Sequence, residues 1–320
     1  MRTCHSSHQI ALASVTLGIV CALTQSSLAQ KFERATPPNF DGKDFSGIYF
    51  PDVGAMLRGK LPSRAQQVGA SMATKPAVGQ PQEGGGAADG PLAWPKLVSP
   101  ETLEDLIKGA KLRLDQAVTT PPAFISGGYV VARQEFTLLS LVFGVIEEYP
   151  QTVRFKDSAA GARELLTQAA AAAKIGTQPV FNQAKNRLLD LGDVTRGTKL
   201  SHEAKSELNW STMVDRSVLM QLLEWSHEDN LNDLVADKDA FDNNSDAVKR
   251  YAELVAVLGK INVAEEMPDA DDDDYRELDL AMIQAARNVV NAVEAKDAEA
   301  TRRAVGQIGQ SCVNCHDGYR

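Results

Sequence analysis

The sequence predicts an all-α fold in which a C-terminal antiparallel four-helix bundle follows a second helical domain and a flexible N-terminal segment. Three observations predict it. From Ser99 onward, apolar residues recur at steps of three and four, the spacing of one helical face. Aromatic residues make up only 6% of the chain while Ala and Leu are abundant, which favours helices over sheets. The prolines Pro37, Pro38, Pro51, Pro62, Pro76, Pro81, Pro91 and Pro95 gather upstream, where they preclude long helices and central strands. With 320 residues and 43% hydrophobic content, the chain has room for two domains with real cores.

The chain opens with Arg2, an apolar stretch from Ile10 to Leu23, and Ser27-Leu28-Ala29 as a small-x-small cleavage site before Gln30. Residues 1–29 therefore read as a signal peptide, and the expected location is the periplasm. The stretch is too short to span a bilayer comfortably. Val20 immediately before Cys21 argues against a lipoprotein anchor. Removing the leader takes away one Arg and no acid, so the formal charge moves from −9 to −10. Such a charge argues against nucleic acid or anionic lipid as a partner and leaves a basic redox protein open.

Residues 30–98 are expected to be a flexible Pro/Gly-rich segment, with Gly79 to Gly90 as linker and Phe45 to Leu57 as a piece apolar enough to dock. A helical domain spans 99–197. Ser99-Pro100-Glu101 is a helix start: an N-cap, Pro at the first helical position and an acid in the first turn. Leu103, Leu106, Ile107, Ala110 and Leu114 mark its apolar face. Further helices are expected over Tyr129–Tyr149, Ser158–Lys174 and Pro179–Leu191. This domain contains no Cys, His or Met, hence no metal-binding residue of note.

Residues 198–320 hold four more helices. The first is expected from Glu207 to about Ala236, with Met213, Arg216, Met220, Leu223 and His227 on one stripe. The second starts from an N-cap at Ser245. The third enters through Asp269 and Asp271–Asp274, acids that suit a helix N-terminus, and shows Tyr275, Leu278, Met282, Ala285, Val289 and Ala292. The fourth begins near Asp297 and carries Thr301, Val305, Ile308, Cys312 and Cys315. These stripes are the seams of an antiparallel bundle. An internal repeat is one reading of two echoes. Ala132-Arg133-Gln134 matches Asp215-Arg216-Ser217 at an offset of 83 residues, and the helices from Ser158 and Ser245 match at 87. Two unrelated amphipathic helices is the other.

The last ten residues carry the chemistry. Cys312, Cys315 and His316 form C-x-x-C-H, the attachment sequence of a c-type haem. On a helix, residues three apart share a face, so both thiols can add to the haem vinyl groups, and His316 becomes the proximal iron ligand. A structural zinc site would need four Cys or His ligands, and the mature chain has two Cys and three His with no others near the motif. A thioredoxin-type pair would open a helix after a strand, whereas this pair closes a long helix. Both surviving cysteines are used, so no structural disulfide is expected. Gly306 and Gly309, one turn apart upstream of Cys312, either admit a flat ring or a second helix, or are tolerated glycines.

A C-terminal C-x-x-C-H followed by two residues, an aromatic and an Arg, and preceded by Val305-Gly306-Gln307-Ile308-Gly309-Gln310-Ser311, resembles the cytochrome c′ family over about residues 205–320. The resemblance implies a four-helix bundle with one covalent haem c on the fourth helix, and dimers formed through first helices. It implies Arg216 near the haem propionates, Met220 facing the iron, and Arg320 as the basic residue beside the proximal His316. Met220 as distal ligand suits single-electron transfer with redox partner proteins; Met220 as core filler leaves an open sixth site and a gas-binding protein for NO or CO. A third expectation makes the upstream domain an adaptor that docks the haem domain onto an oxidoreductase. His202 is expected at the surface, and His227 lies two turns from Met220. Neither has an acid-base setting, so no enzyme is expected.

Overall fold

The computed structural model describes residues 90–319. The expected leader, the rest of the segment up to residue 89 and Arg320 lie outside the described residues. The described residues contain helices and no strand. Ten helices organise them: α1 (Trp94–Leu97), α2 (Pro100–Ala117), α3 (Tyr129–Glu148), α4 (Ala159–Ala172), α5 (Gln178–Thr195), α6 (Trp210–Met213), α7 (Arg216–Ser226), α8 (Lys238–Asn262), α9 (Asp273–Glu294) and α10 (Ala298–Tyr319).

Local sequence explains the starts. The Ser99 side chain accepts from the Thr102 amide to cap α2, whose first residue is Pro100. Thr177 and Asp237 cap α5 and α8 in the same way, and Asp272 accepts from the Asp274 and Tyr275 amides at the mouth of α9. The acidic run before α9 thus contains one cap, while Asp269 is drawn into an ion pair with Arg216.

The helices α2, α3, α4 and α5 pack on one another as one bundle, and α7, α8, α9 and α10 as another. The cores are apolar. Phe136, Leu139 and Phe143 on α3 and Leu254, Val255 and Leu258 on α8 are fully buried. Each such side chain contributes about 1.5–3 kcal/mol when taken from water. The described residues lie in a single compact unit, and the two bundles share one continuous core.

The long first helix expected over Glu207–Ala236 is broken twice. Val214 and Asp215 are extended, which separates α6 from α7, and His227–Leu231 form a π turn. The first break has a long-range cause. Asp215 does not cap α7 with its side chain, because its carboxylate is held 3.2 Å from both Arg133 on α3 and Lys174 after α4.

The strand of chain between the bundles is clasped by Glu164. Its carboxylate accepts from the Lys205 and Ser206 amides (2.7 and 2.9 Å), from the Ser206 hydroxyl (2.9 Å), and bonds the His202 ring (3.0 Å). These bonds, led by the Lys205 amide, hold the Glu164 carboxyl down at about 2 against the opposing effect of burial. His202 is therefore half-buried in this clasp and not a surface residue.

Candidate functional site

The fourth helix of the second bundle, α10, buries Thr301, Ala304, Val305 and Ile308, a stripe stepping by three and four. The same stripe runs on to Cys312 and Cys315, both half-buried, both free thiols. Cys312 packs against the apolar core. Val313, Asn314 and His316 are exposed. Burial pushes both thiols upward, Cys315 to about 11, where the nearby Asp279 carboxylate and Cys312 add to the effect and Arg216 opposes it.

Arg216, the first residue of α7, reaches the opening of α9. Its Nη1 lies 2.5 Å from Asp269, its Nη2 donates to the Pro268 carbonyl, and its guanidinium stacks 5.1 Å from the centre of the Tyr275 ring. Tyr275 in turn meets Tyr319 edge to face with ring centres 5.0 Å apart. Arg216 and the C-terminal turn of α10 are thus joined through one aromatic ring. The Arg216 Nε is buried without a hydrogen-bond partner, leaving a spare donor on a cation within electrostatic reach of Cys315.

Beneath these residues sits a polar cluster that the sequence reading missed. Asn262 of α8 donates through Nδ2 to Tyr275 Oη (2.5 Å) and to Asp279 Oδ2 (2.9 Å), while its Oδ1 has no partner. Asp279 is only 4% exposed. Burial pushes its carboxyl up to about 7, with the Asn262 bond and the Arg216 charge pulling the other way. Tyr275 is pushed up to about 12, chiefly by burial. A signal was present: Asp279 stands one turn after Tyr275 and three residues before Met282, inside the apolar stripe of α9. A charged residue on a bundle seam is seldom idle.

Met220 is half-buried on α7 at the edge of the core that also receives Cys312. Met213 is buried on α6, away from the α7 stripe where it was expected. His227 is buried, with Nε2 3.1 Å from the Val305 carbonyl and Nδ1 2.8 Å from Glu228. Its ring fills the space beside Gly309, where an added Cβ would stand 3.0 Å from Cε1. Gly309 therefore admits the His227 ring, whereas Gly306 faces open space. Arg320, expected beside His316, lies outside the described residues.

The donors fit a c-type haem. Two unbridged thiols three residues apart on the inner side of one helix can take its two vinyl groups, and the adjacent imidazole is exposed and can serve iron. The spare Nε–H of Arg216 suits an anionic edge such as a propionate.

Among the described residues, no group of three or more His, Cys, Asp or Glu is arranged to hold a metal ion by itself. No curated protein and no solved structure matches the chain. Residues 211–320, about a third of the chain and the whole of α7 to α10, match the family model described as Cytochrome C'.

Proposed function

We propose that the chain is an exported, periplasmic monohaem cytochrome that transfers single electrons, a carrier and not an enzyme. One haem c is attached through Cys312 and Cys315, with His316 as proximal and Met220 as distal ligand. The observation that supports this best is the pair of free thiols, half-buried and one turn apart on one helix, with Cys312 packed against the core that Met220 also borders. When bound, the haem supplies a one-electron couple, and a thioether as sixth ligand raises its potential. Arg216, anchored by Asp269 and Tyr275, presents positive charge toward the thiol face. The acidic formal charge, −10 once the leader is removed, suits docking to a basic redox protein.

The test is the absorption spectrum of the holoprotein, ferric and ferrous, beside that of Met220→Ala. A low-spin wild type that becomes high-spin in the variant supports ligation by Met220. A wild type already high-spin, whose spectrum moves when NO or CO is added, replaces electron transfer with gas binding.

A further inference from the structure

We infer that residues 94–196 are a haem-less copy of the haem bundle, and that the two copies pack about a local two-fold axis. The face formed by α7 and α8 is then an interaction surface whose partner is carried on the same chain.

The correspondence begins with two tryptophans. Trp94 opens α1 and Trp210 opens α6, each a four-residue helix. Each ends at an extended valine with nearly the same backbone angles, Val98 (φ −147°, ψ 136°) and Val214 (φ −143°, ψ 130°). Each valine amide donates to its own tryptophan carbonyl, at 2.9 and 3.1 Å. Each is followed by one extended residue, Ser99 or Asp215, and then by a long helix. These positions are 116 apart (210 minus 94), and the same spacing pairs the buried Leu103 with Leu219, Leu106 with Leu222 and Ile107 with Leu223.

The spacing persists into the second helix of each bundle. It maps α3 onto the part of α8 beyond Asn244, where α8 is kinked (φ −132°), and Asn244 stands opposite Gly128 at the entrance to α3. In the fourth helices the spacing is 120 (297 minus 177). Thr177 and Asp297 are both caps, each accepting from the amide three residues on. Gly192, Thr195 and Arg196 then occupy the places of Cys312, Cys315 and His316, so the copy has neither thiols nor imidazole for a haem. The echoes at 83 and 87 residues are not this repeat: the first pairs Arg133, on a second helix, with Arg216, on a first, and the other pairs Ser158, before a third helix, with Ser245, on a second.

Two-fold packing demands reciprocity, and the contacts between the bundles are reciprocal. The first-bundle α1 and α2 rest on α8, while their counterparts α6 and α7 rest on α3. The Trp94 ring lies 3.4 Å from the Lys260 ammonium, and the Trp210 ring lies over Gly144, the counterpart of Lys260. A Cβ at Gly144 would stand 2.9 Å from that ring, so the residue that replaces a lysine here must be small. Ser99 donates to Glu253 of α8 at 3.1 and 2.9 Å. Its counterpart Asp215 pairs with Arg133 of α3, the counterpart of Lys249, one turn from Glu253. Trp94 and Trp210 themselves meet with ring centres 5.9 Å apart, which puts the axis between them.

The test uses the full chain with a protease site inserted in the exposed stretch 196–199, cleaved after folding. The expected result is one particle of uncut mass on gel filtration, from which the halves part only in urea. Trp94→Ala and Trp210→Ala should each lower the urea concentration of parting, by similar amounts. Halves that separate on cleavage in plain buffer overturn the inference, as does a tryptophan whose removal has no effect while the other's does. Haem content and spectrum are read in the same samples, so the electron-transfer reading and this inference can fail independently.

Discussion

Each bundle buries a carboxylate on its third helix, Glu164 on α4 and Asp279 on α9, and the two are driven in opposite directions. Glu164 meets two backbone amides, a hydroxyl and an imidazole, and is held at about 2. Asp279 meets one side-chain amide and is pushed to about 7. The difference teaches that burial raises a carboxyl unless enough donors are aimed at it: at Asp279 burial wins over one amide and a nearby cation, and at Glu164 the donors win over burial. The upstream carboxylate is a permanent anion that fastens the inter-bundle segment. Its counterpart, near the cysteines of α10, is pushed up to about 7.

The strongest way to break the comparison is at the attachment positions. Cys315→Ser is expected to cost most of the covalently bound haem, and His316→Ala most of the normal spectrum, whereas Thr195→Ser and Arg196→Ala in the copy should leave both unchanged. Haem retained after denaturation, measured as its pyridine complex, separates these outcomes.

Next in size is Glu164→Gln, expected to lower stability by roughly 2 kcal/mol at pH 7, the worth of hydrogen bonds to a charged acceptor. Because the folded carboxyl is depressed below its ordinary value of 4.5, its contribution is full above that value and fades as pH falls toward about 2. Urea melts at a series of pH values should show the wild-type advantage shrinking over that window.

Asp279→Asn should behave in the reverse sense. Its folded carboxyl is raised from 3.8 to about 7, so ionisation weakens the fold progressively as pH climbs between those values. The amide escapes that loss, and the variant should be more stable than wild type at pH 8, by on the order of 1 kcal/mol, with the gain vanishing near pH 4. A variant equally affected at both pH values would show that Asp279 acts through shape alone.

The smallest effects belong to the two glycines of α10. Gly306→Ala meets open space and should stabilise by about 1 kcal/mol through helix propensity. At Gly309 the same gain is offset by the Cβ pressing on His227, so the two variants should differ in thermal midpoint, with Gly306→Ala the higher.

Much of this architecture is legible in the sequence. The stripes of α2 and α10, the Ser99 cap and the C-x-x-C-H helix follow from spacing alone, because each depends on residues within one or two turns. What escaped depends on distant partners. The break at Val214-Asp215 was hidden because the apolar spacing runs through it, and its cause is a carboxylate drawn away by Arg133 and Lys174. His202 is half-buried through Glu164, 38 residues away. The cluster of Asn262, Tyr275 and Asp279 joins two helices, and periodicity reports a seam without reporting which polar groups meet across it.

The tryptophan positions have an optical consequence. The chain has three tryptophans, Trp94, Trp210 and Trp225. Trp94 and Trp210 touch each other across the two bundles, and Trp225 carries the Arg113 guanidinium of α2 4.8 Å from its ring. Every indole in the protein therefore borders the seam, and in the haem-free chain, where no haem quenches the indoles, ultraviolet emission excited at the indole band reports on that seam. Loosening of one bundle from the other would be visible as a red shift in unlabelled protein, without a dye, a tag or a second reporter.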